Sequence, residues 1–228
     1  MPTSTEEDYL KAIFQLATAD APADPSAEAI VSMGQIAQAL TVAPGTVTGM
    51  VKALERRGLV RYQPYVGVTL TDEGRSLALH VLRRHRLIEL FLVRVLGYDW
   101  SEVHDEAEQL EHALSDTLVE RIDRLLGSPT VDPHGDPIPG PGGELAVVDL
   151  VSLAECAVGD AHHLRRVSDQ AGAFLRFAET HGLVPGARLT VTAAEPAAHA
   201  LTVQADGHDA VTLGREAAGK LWVERAVM

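Results

Sequence analysis

The chain has 228 residues and a formal net charge of −13, a length that accommodates one large domain or two to three small ones. No apolar run approaches a membrane span, and the amino terminus carries Glu6, Glu7 and Asp8 where a signal peptide would have a basic stretch. A single cysteine, Cys156, excludes an intrachain disulfide framework and fits a cytoplasmic setting.

The acidic total argues against a nucleic-acid partner, but the charge is unevenly spread. Between Thr41 and Arg86 eight Lys or Arg stand against three acids, so that window is +5 and the remainder −18. Such asymmetry predicts a local basic surface on an acidic body.

Thr5 to Ala17 reads as a first helix, with Tyr9, Ile13, Leu16 and Ala17 inward and Asp8 beside that face. An Ala/Pro/Asp-rich loop follows from Thr18 to Glu28. Ser32 and Gln35 make an S-x-x-Q capping box for a short helix with Ile36, Ala37 and Leu40 inward. After the turn Thr41-Val42-Ala43, Pro44 occupies the first turn of the next helix. That helix turns Val47, Met50, Val51 and Leu54 inward and Thr46, Thr48, Lys52 and Arg56 outward. Helix, tight turn and second helix form a helix-turn-helix. The runs Leu59–Tyr62 and Gly67–Leu70, joined through Gln63-Pro64-Tyr65, add a hairpin wing. Gly45, Thr46 and Thr48 lie where a recognition helix meets base edges or phosphates, and Lys52, Arg56, Arg61 and Tyr65 where it meets the phosphate backbone.

From Thr71, an N-cap, a long helix runs to Leu96, apolar over more than one face through Leu77, Val81, Leu82, Leu87, Ile88, Leu90, Phe91 and Val95. His80 reads as a surface or packing residue, whereas His85 and Glu89, at i and i+4, project to one side. Asp99 to Gly127 reads as one further helix, opened by a D-x-x-E pattern and closed by Gly127 and Pro129. Val103, Ala107, Leu110, Leu114 and Leu118 make its buried stripe. Beside it run His104, Glu108, Glu111 and His112, within roughly one third of the circumference at about 100° per residue. Carboxylates and imidazoles at the margin of a core are costly to desolvate unless a positive charge neutralises them, and a divalent cation would do so. Because operators are read by two-fold symmetric proteins, a homodimer joined through these two long helices is expected.

Asp132 to Pro141 reads as a linker. Beyond it, strand-like runs at His163–Val167, Arg188–Thr192, Leu201–Gln204, Ala210–Leu213 and Trp222–Arg225, with a helix at about Ala171–Thr180, predict a small five-stranded barrel. His162 and His163, adjacent on a strand, point to opposite faces and do not make one ligand pair.

E-D-Y-L at Glu7–Leu10, G-T-V-T-G-M-V at Gly45–Val51 and R-H-R-L-I-E at Arg84–Glu89 stand alongside two longer marks. These are V-H-D-E-A-E-Q-L-E-H at Val103–His112 and H-G-D-P-I-P-G at His134–Gly140. With them, nearly the full length resembles the diphtheria-toxin-repressor family of metal-dependent transcriptional regulators, which includes the manganese transport regulators. The resemblance implies a mainly α chain with α+β parts. It places a winged helix-turn-helix at 1–74, a helical metal-binding and dimerisation domain with its linker at 75–143, and a carboxyl-terminal SH3-like (FeoA-like) β-barrel at 144–228. It implies a primary metal site at Asp8, Glu108, Glu111 and His112 and an ancillary site at His85, Glu89 and His104. Iron-responsive members carry methionine and cysteine where this chain has Asp8 and Glu108, so Mn2+ is the expected cofactor and Fe2+ the alternative. Lys11 stands where members with a paired-metal site have glutamate, and Gly49 where the family has a base-contacting glutamine. Asp169 and Gln170 are candidates for a ligand from the SH3-like domain.

The expected protein is therefore a metal(II)-dependent DNA-binding regulator, a manganese-responsive repressor of metal-uptake genes, and not an enzyme. A cation bridging the amino-terminal helix and the dimer scaffold would set the spacing of two recognition helices on double-stranded operator DNA. Three rival readings exist. A winged-helix regulator sensing an organic ligand would bind DNA without a cation. A metallohydrolase needs a nucleophile or general base outside the ligand set, and none stands out. A pure adaptor acting through the SH3-like part leaves the basic window without a purpose.

Overall fold

In this computed structural model residues 2–18, 29–146 and 148–225 are described; apart from Thr18, the Ala/Pro/Asp-rich loop lies outside them. No helix among the described residues is long and apolar enough to cross a membrane. Two compact units form. The first gathers residues 1–85, 111–114 and 139–147, and the second residues 86–110, 115–138 and 148–228.

The first unit begins with α1 (Ser4–Thr18), which buries Tyr9, Leu10, Ile13 and Phe14. Then comes α2 (Met33–Ala39), whose Ser32–Gln35 capping box forms as the sequence dictates. Next is α3 (Pro44–Arg56), with Pro44 at its start and Val47, Val51 and Leu54 fully buried. Strands β1 (Val60–Gln63) and β2 (Gly67–Leu70) pair antiparallel, Val60 opposite Leu70 and Gln63 opposite Gly67. Val31 adds a single antiparallel bridge to β2, its N–H donating to the Val68 carbonyl at 2.9 Å and its carbonyl accepting from Val68 N–H at 2.9 Å. Helix α4 (Asp72–Leu96) starts at Thr71, whose hydroxyl accepts from Gly74 N–H at 3.1 Å. One core joins α1, α2, α3, the wing and the amino-terminal half of α4 through Leu10, Ile13, Ile36, Val47, Leu54, Val68, Leu79 and Leu82.

The second unit holds the rest of α4, two shorter helices and the carboxyl-terminal sheet. The stretch expected as one helix is two: α5 (Val103–Leu110) and α6 (Asp116–Leu125). The break has a local cause. Ser115 leaves helical geometry and its hydroxyl accepts from Leu118 N–H, so it caps a new helix rather than continuing the old one. Asp99, the expected cap of a long helix, instead accepts from Ser101 N–H at 2.7 Å in a turn ahead of α5. The predicted stripe is correspondingly shortened: Val103 and Ala107 are fully buried, whereas Leu118 is exposed.

The sheet has six antiparallel strands, one more than expected. They are β3 (Val151–Ser152), β4 (Ala161–Val167), β5 (Arg188–Glu195), β6 (Ala200–Ala205), β7 (Val211–Gly214) and β8 (Leu221–Arg225), in the order β3-β8-β4-β5-β6-β7. The two-residue β3 is too short to leave an alternation in the sequence. Helices α7 (Gly172–Thr180) and α8 (Arg215–Gly219) contribute Leu175, Ala178 and Ala218 to a core that also contains Leu164, Leu189, Val203 and Val223.

Candidate functional site

In the first unit α1 and the segment 111–114 bring Asp8, Glu111 and His112 together, with one ligand atom from each within 4.8 Å of the others. His112 Nε2 is 2.7 Å from Asp8 Oδ1 and 3.3 Å from Glu111 Oε1. Glu111 is fully buried. Its Oε1 is 2.6 Å from Lys11 Nζ and its Oε2 is 2.6 Å from His85 Nδ1. Burial works to raise the Glu111 carboxyl, but the His85 hydrogen bond and the Lys11 charge outweigh it and hold the group below its usual value. Asp8 goes the other way, raised by burial against the pull of His112. For His112, burial disfavours the charged ring. The hydrogen bonds to Glu7 and Asp8 and the charges of Glu111 and Asp8 overcome that and raise its pKa. Oxygen and imidazole donors without sulfur suit a divalent metal of the manganese or iron kind.

The second unit places the remaining expected ligands. His104 Nδ1 lies 3.2 Å from Glu89 Oε1, and His104 Nε2 is 3.7 Å from Glu108 Oε1. Of the expected ancillary trio, Glu89 and His104 lie in this unit; His85 lies in the first, where its Nδ1 is 2.6 Å from Glu111 Oε2.

This unit also assembles a group that sequence reasoning missed. Glu89, Asp132 and His134 offer ligand atoms within 4.8 Å of one another, and all three are buried. His134 Nε2 is 2.9 Å from the Trp100 carbonyl, so that nitrogen carries the proton; Nδ1, buried, has no hydrogen-bond partner. An imidazole that donates to a backbone carbonyl and keeps its other nitrogen bare is prepared to coordinate a metal. Asp132 accepts from the His134 and Asp136 backbone N–H groups at 2.8 and 2.9 Å through Oδ1. Its Oδ2 makes no hydrogen bond and lies 3.6 Å from Arg86 Nε. Burial, with the Asp136 and Glu89 carboxylates alongside, pushes the Asp132 carboxyl well above its usual range despite Arg86.

The segment expected as a linker is thus a packed loop. Asp132, His134, Asp136 and Ile138 are all buried, and Val131 pairs with Pro137. Its glycine is obligatory: Gly135 has φ +87°, and a Cβ there would lie 1.8 Å from the Arg165 carbonyl oxygen. Val167 N–H donates to the His134 carbonyl at 2.9 Å and Arg166 Nε pairs with Asp136 at 2.7 Å, fixing the loop to β4. The H-G-D motif was visible in the sequence, but its partners Glu89 and Trp100 are more than thirty positions upstream.

Of the two candidates from the SH3-like part, Asp169 pairs with Lys220 at 2.9 Å and accepts from Ala171 N–H ahead of α7. Gln170 Nε2 donates to Asp136 at 3.4 Å. His162 is buried and His163 half-buried, as alternation on β4 requires. His80 is exposed.

On the winged-helix side Gly45, Thr46, Lys52, Arg56, Arg61 and Tyr65 are exposed. Thr48 is half-buried, its hydroxyl donating to the Pro44 carbonyl at 3.1 Å. Tyr65 stands at the wing tip with φ 65° and a wholly solvent-facing ring. The basic window divides. Arg83 Nη1 and Arg86 Nη1 donate to the Pro139 and Pro137 carbonyls at 2.6 and 2.5 Å, and Arg84 Nη1 to the Glu111 carbonyl at 3.3 Å. The basic surface open to a polyanion is thus the α3 and wing group rather than the whole window.

Comparison with known proteins covers the length of the chain. Residues 1–68 match the model of the iron dependent repressor N-terminal DNA binding domain. Residues 71–140 match its metal binding and dimerisation domain, and 151–225 the FeoA domain. The iron-dependent repressor IdeR of Mycobacterium leprae is 34% identical over 235 residues, covering 97% of each chain. A manganese-dependent transcriptional repressor solved in complex with manganese is 41% identical with a TM-score of 0.87, covering 97% of this chain and 100% of that one. The manganese regulator SloR is 35% identical with a TM-score of 0.77, covering 97% and 98%.

Proposed function

From the premise that the chain belongs to the diphtheria-toxin-repressor (iron dependent repressor) family of metal-dependent DNA-binding repressors, which are not enzymes, we propose that it is a manganese(II)-responsive repressor of metal-uptake genes acting on operator DNA as a homodimer. The observation that carries this reading is the convergence of Asp8, Glu111 and His112, all oxygen or imidazole donors, on the same unit as the recognition helix. Glu108 completes the primary set by resemblance. Iron(II) is the second reading, favoured by the iron-dependent relatives at 34% identity.

The second cation position is proposed at Glu89, Asp132 and His134, with His104 beside Glu89; His85 is assigned to the ancillary set by resemblance. The cation would neutralise charge that the chain otherwise leaves to Arg86 and protons. Asp8 lies one residue from Tyr9 and two from Leu10, both in the winged-helix core. Drawing Asp8 toward Glu111 and His112 therefore acts on the body that carries α3. Dimerisation is supported by apolar residues that the second unit leaves open: Val95 and Leu96 on α4, Leu118 and Leu125 on α6.

The test is operator-fragment binding by the full chain titrated with manganese(II), iron(II) and zinc(II), repeated with Glu108→Ala and His112→Ala. Manganese should tighten binding and both variants should lose the response. A variant that responds like the native chain would count against the primary set. Asp132→Ala and His134→Ala should reduce bound manganese from two ions to one per chain.

A further inference from the structure

Glu7 precedes a candidate ligand, yet its carboxylate is committed elsewhere. Its Oε2 lies 2.8 Å from His112 Nδ1 and its Oε1 3.6 Å from Arg84 Nη2. Arg84 in turn reaches the Glu111 carbonyl through Nη1 at 3.3 Å. The Glu7 and Arg84 side chains are each 12% exposed, so the pair is largely shielded from solvent. Glu7 and Asp8 thus hold the two edges of one ring: Glu7 meets Nδ1 and Asp8 meets Nε2 at 2.7 Å.

A neutral imidazole carries one N–H and one lone pair, and the partner of one nitrogen decides which is which. Both ring nitrogens face carboxylates, which can only accept, so in the metal-free chain either can carry a proton. Were Nε2, the nitrogen that faces Asp8 Oδ1 and Glu111 Oε1, to give its lone pair to a cation, Glu7 would keep the remaining proton on Nδ1. Glu7 thus meets the ring at the nitrogen opposite the one that faces Asp8 and Glu111.

We infer that Glu7, anchored by Arg84, is a positioning residue that fixes the ring orientation and tautomer of His112 for a divalent cation. This rests on the reading of Asp8, Glu111 and His112 as the primary site. A carboxylate behind a metal-binding imidazole also raises the ring's basicity, and its loss weakens metal affinity by about 10–100-fold.

The experiment uses the full chain and manganese(II) alone, comparing Glu7→Ala, Glu7→Gln and His112→Ala. Affinity at the site lost in His112→Ala should fall about 10–100-fold in Glu7→Ala and recover to within about threefold of native in Glu7→Gln, whose amide oxygen still accepts from Nδ1. In the zinc-loaded native chain, nitrogen-15 imidazole spectra should show His112 protonated at Nδ1 and metal-bound at Nε2. Native affinity in Glu7→Ala, a Glu7→Gln loss as deep as that of Glu7→Ala, or a proton on His112 Nε2 would each overturn the inference. Should Glu7→Ala not fold, the glutamine variant and the native spectra decide the matter alone. Native affinity in His112→Ala would remove the primary site and this inference with it, whereas loss in His112→Ala beside native affinity in Glu7→Ala removes the inference only.

Discussion

Replacing Lys11 by methionine isolates the electrostatics of the primary site. Lys11 Nζ and Glu111 Oε1 are 2.6 Å apart with side chains 5% and 0% exposed, so water cannot substitute for the lost ammonium. Methionine is close enough in volume that packing changes little. Removing one partner of a buried pair costs roughly 3–5 kcal/mol. Because His85 still holds the other Glu111 oxygen at 2.6 Å, the low end, about 3 kcal/mol, applies to the metal-free chain. For a chain of this length that is a Tm loss of roughly 6–12 °C. A bound divalent ion would neutralise Glu111 whether or not Lys11 is present, so most of the loss should vanish with manganese. If about 2 kcal/mol is recovered, linkage requires manganese to bind roughly thirtyfold tighter to Lys11→Met. Thermal unfolding in chelator and in saturating manganese, with a binding isotherm for each chain, measures both sides of this cycle. An equal Tm loss in the two conditions, or unchanged manganese affinity, would refute the reasoning.

Manganese affinity should fall as pH is lowered through the raised His112 value, by about tenfold per pH unit for the one proton displaced; a flat isotherm series from pH 6 to 8.5 would contradict this. In the metal-free chain the sign reverses. The His112 contribution to stability is complete below the ordinary histidine value and disappears as pH rises through the raised one, which denaturant midpoints across that window would register. Gly135→Ala should destabilise the second unit by several kcal/mol, since its Cβ meets a backbone oxygen at 1.8 Å and φ is positive; native-like resistance to proteolysis would argue otherwise. Lys52→Ala and Arg56→Ala should each reduce the slope of log affinity against log salt by about 0.9, the signature of one lost phosphate contact.

Much of the winged helix was legible because its signals are local. The Ser32–Gln35 box, Pro44 at the start of α3 and the 3.6-residue burial of Val47, Val51 and Leu54 each depend on neighbours within one or two turns. The strands of the carboxyl-terminal sheet were likewise visible where alternation ran four residues or more, and β3, with two, was not. Donor chemistry was legible in part: Glu111 and His112, beside an apolar stripe, mark groups costly to desolvate, whereas Asp8 joined them only by resemblance.

What the sequence left undecided was long-range. The helix break is the exception: the Ser115 cap is local, but an amphipathic period that runs on through Glu111 and His112 hid it. Composition made Asp132 to Pro141 look like solvated linker, whereas burial against β4, Glu89 and Trp100 turned it into a candidate metal loop. Net charge counted Arg83, Arg84 and Arg86 as surface, and tertiary packing used them on carbonyls inside the protein. Local propensity follows from covalent neighbours, but which polar groups share a desolvated volume depends on how distant segments pack, and desolvation is what gives those groups their chemistry.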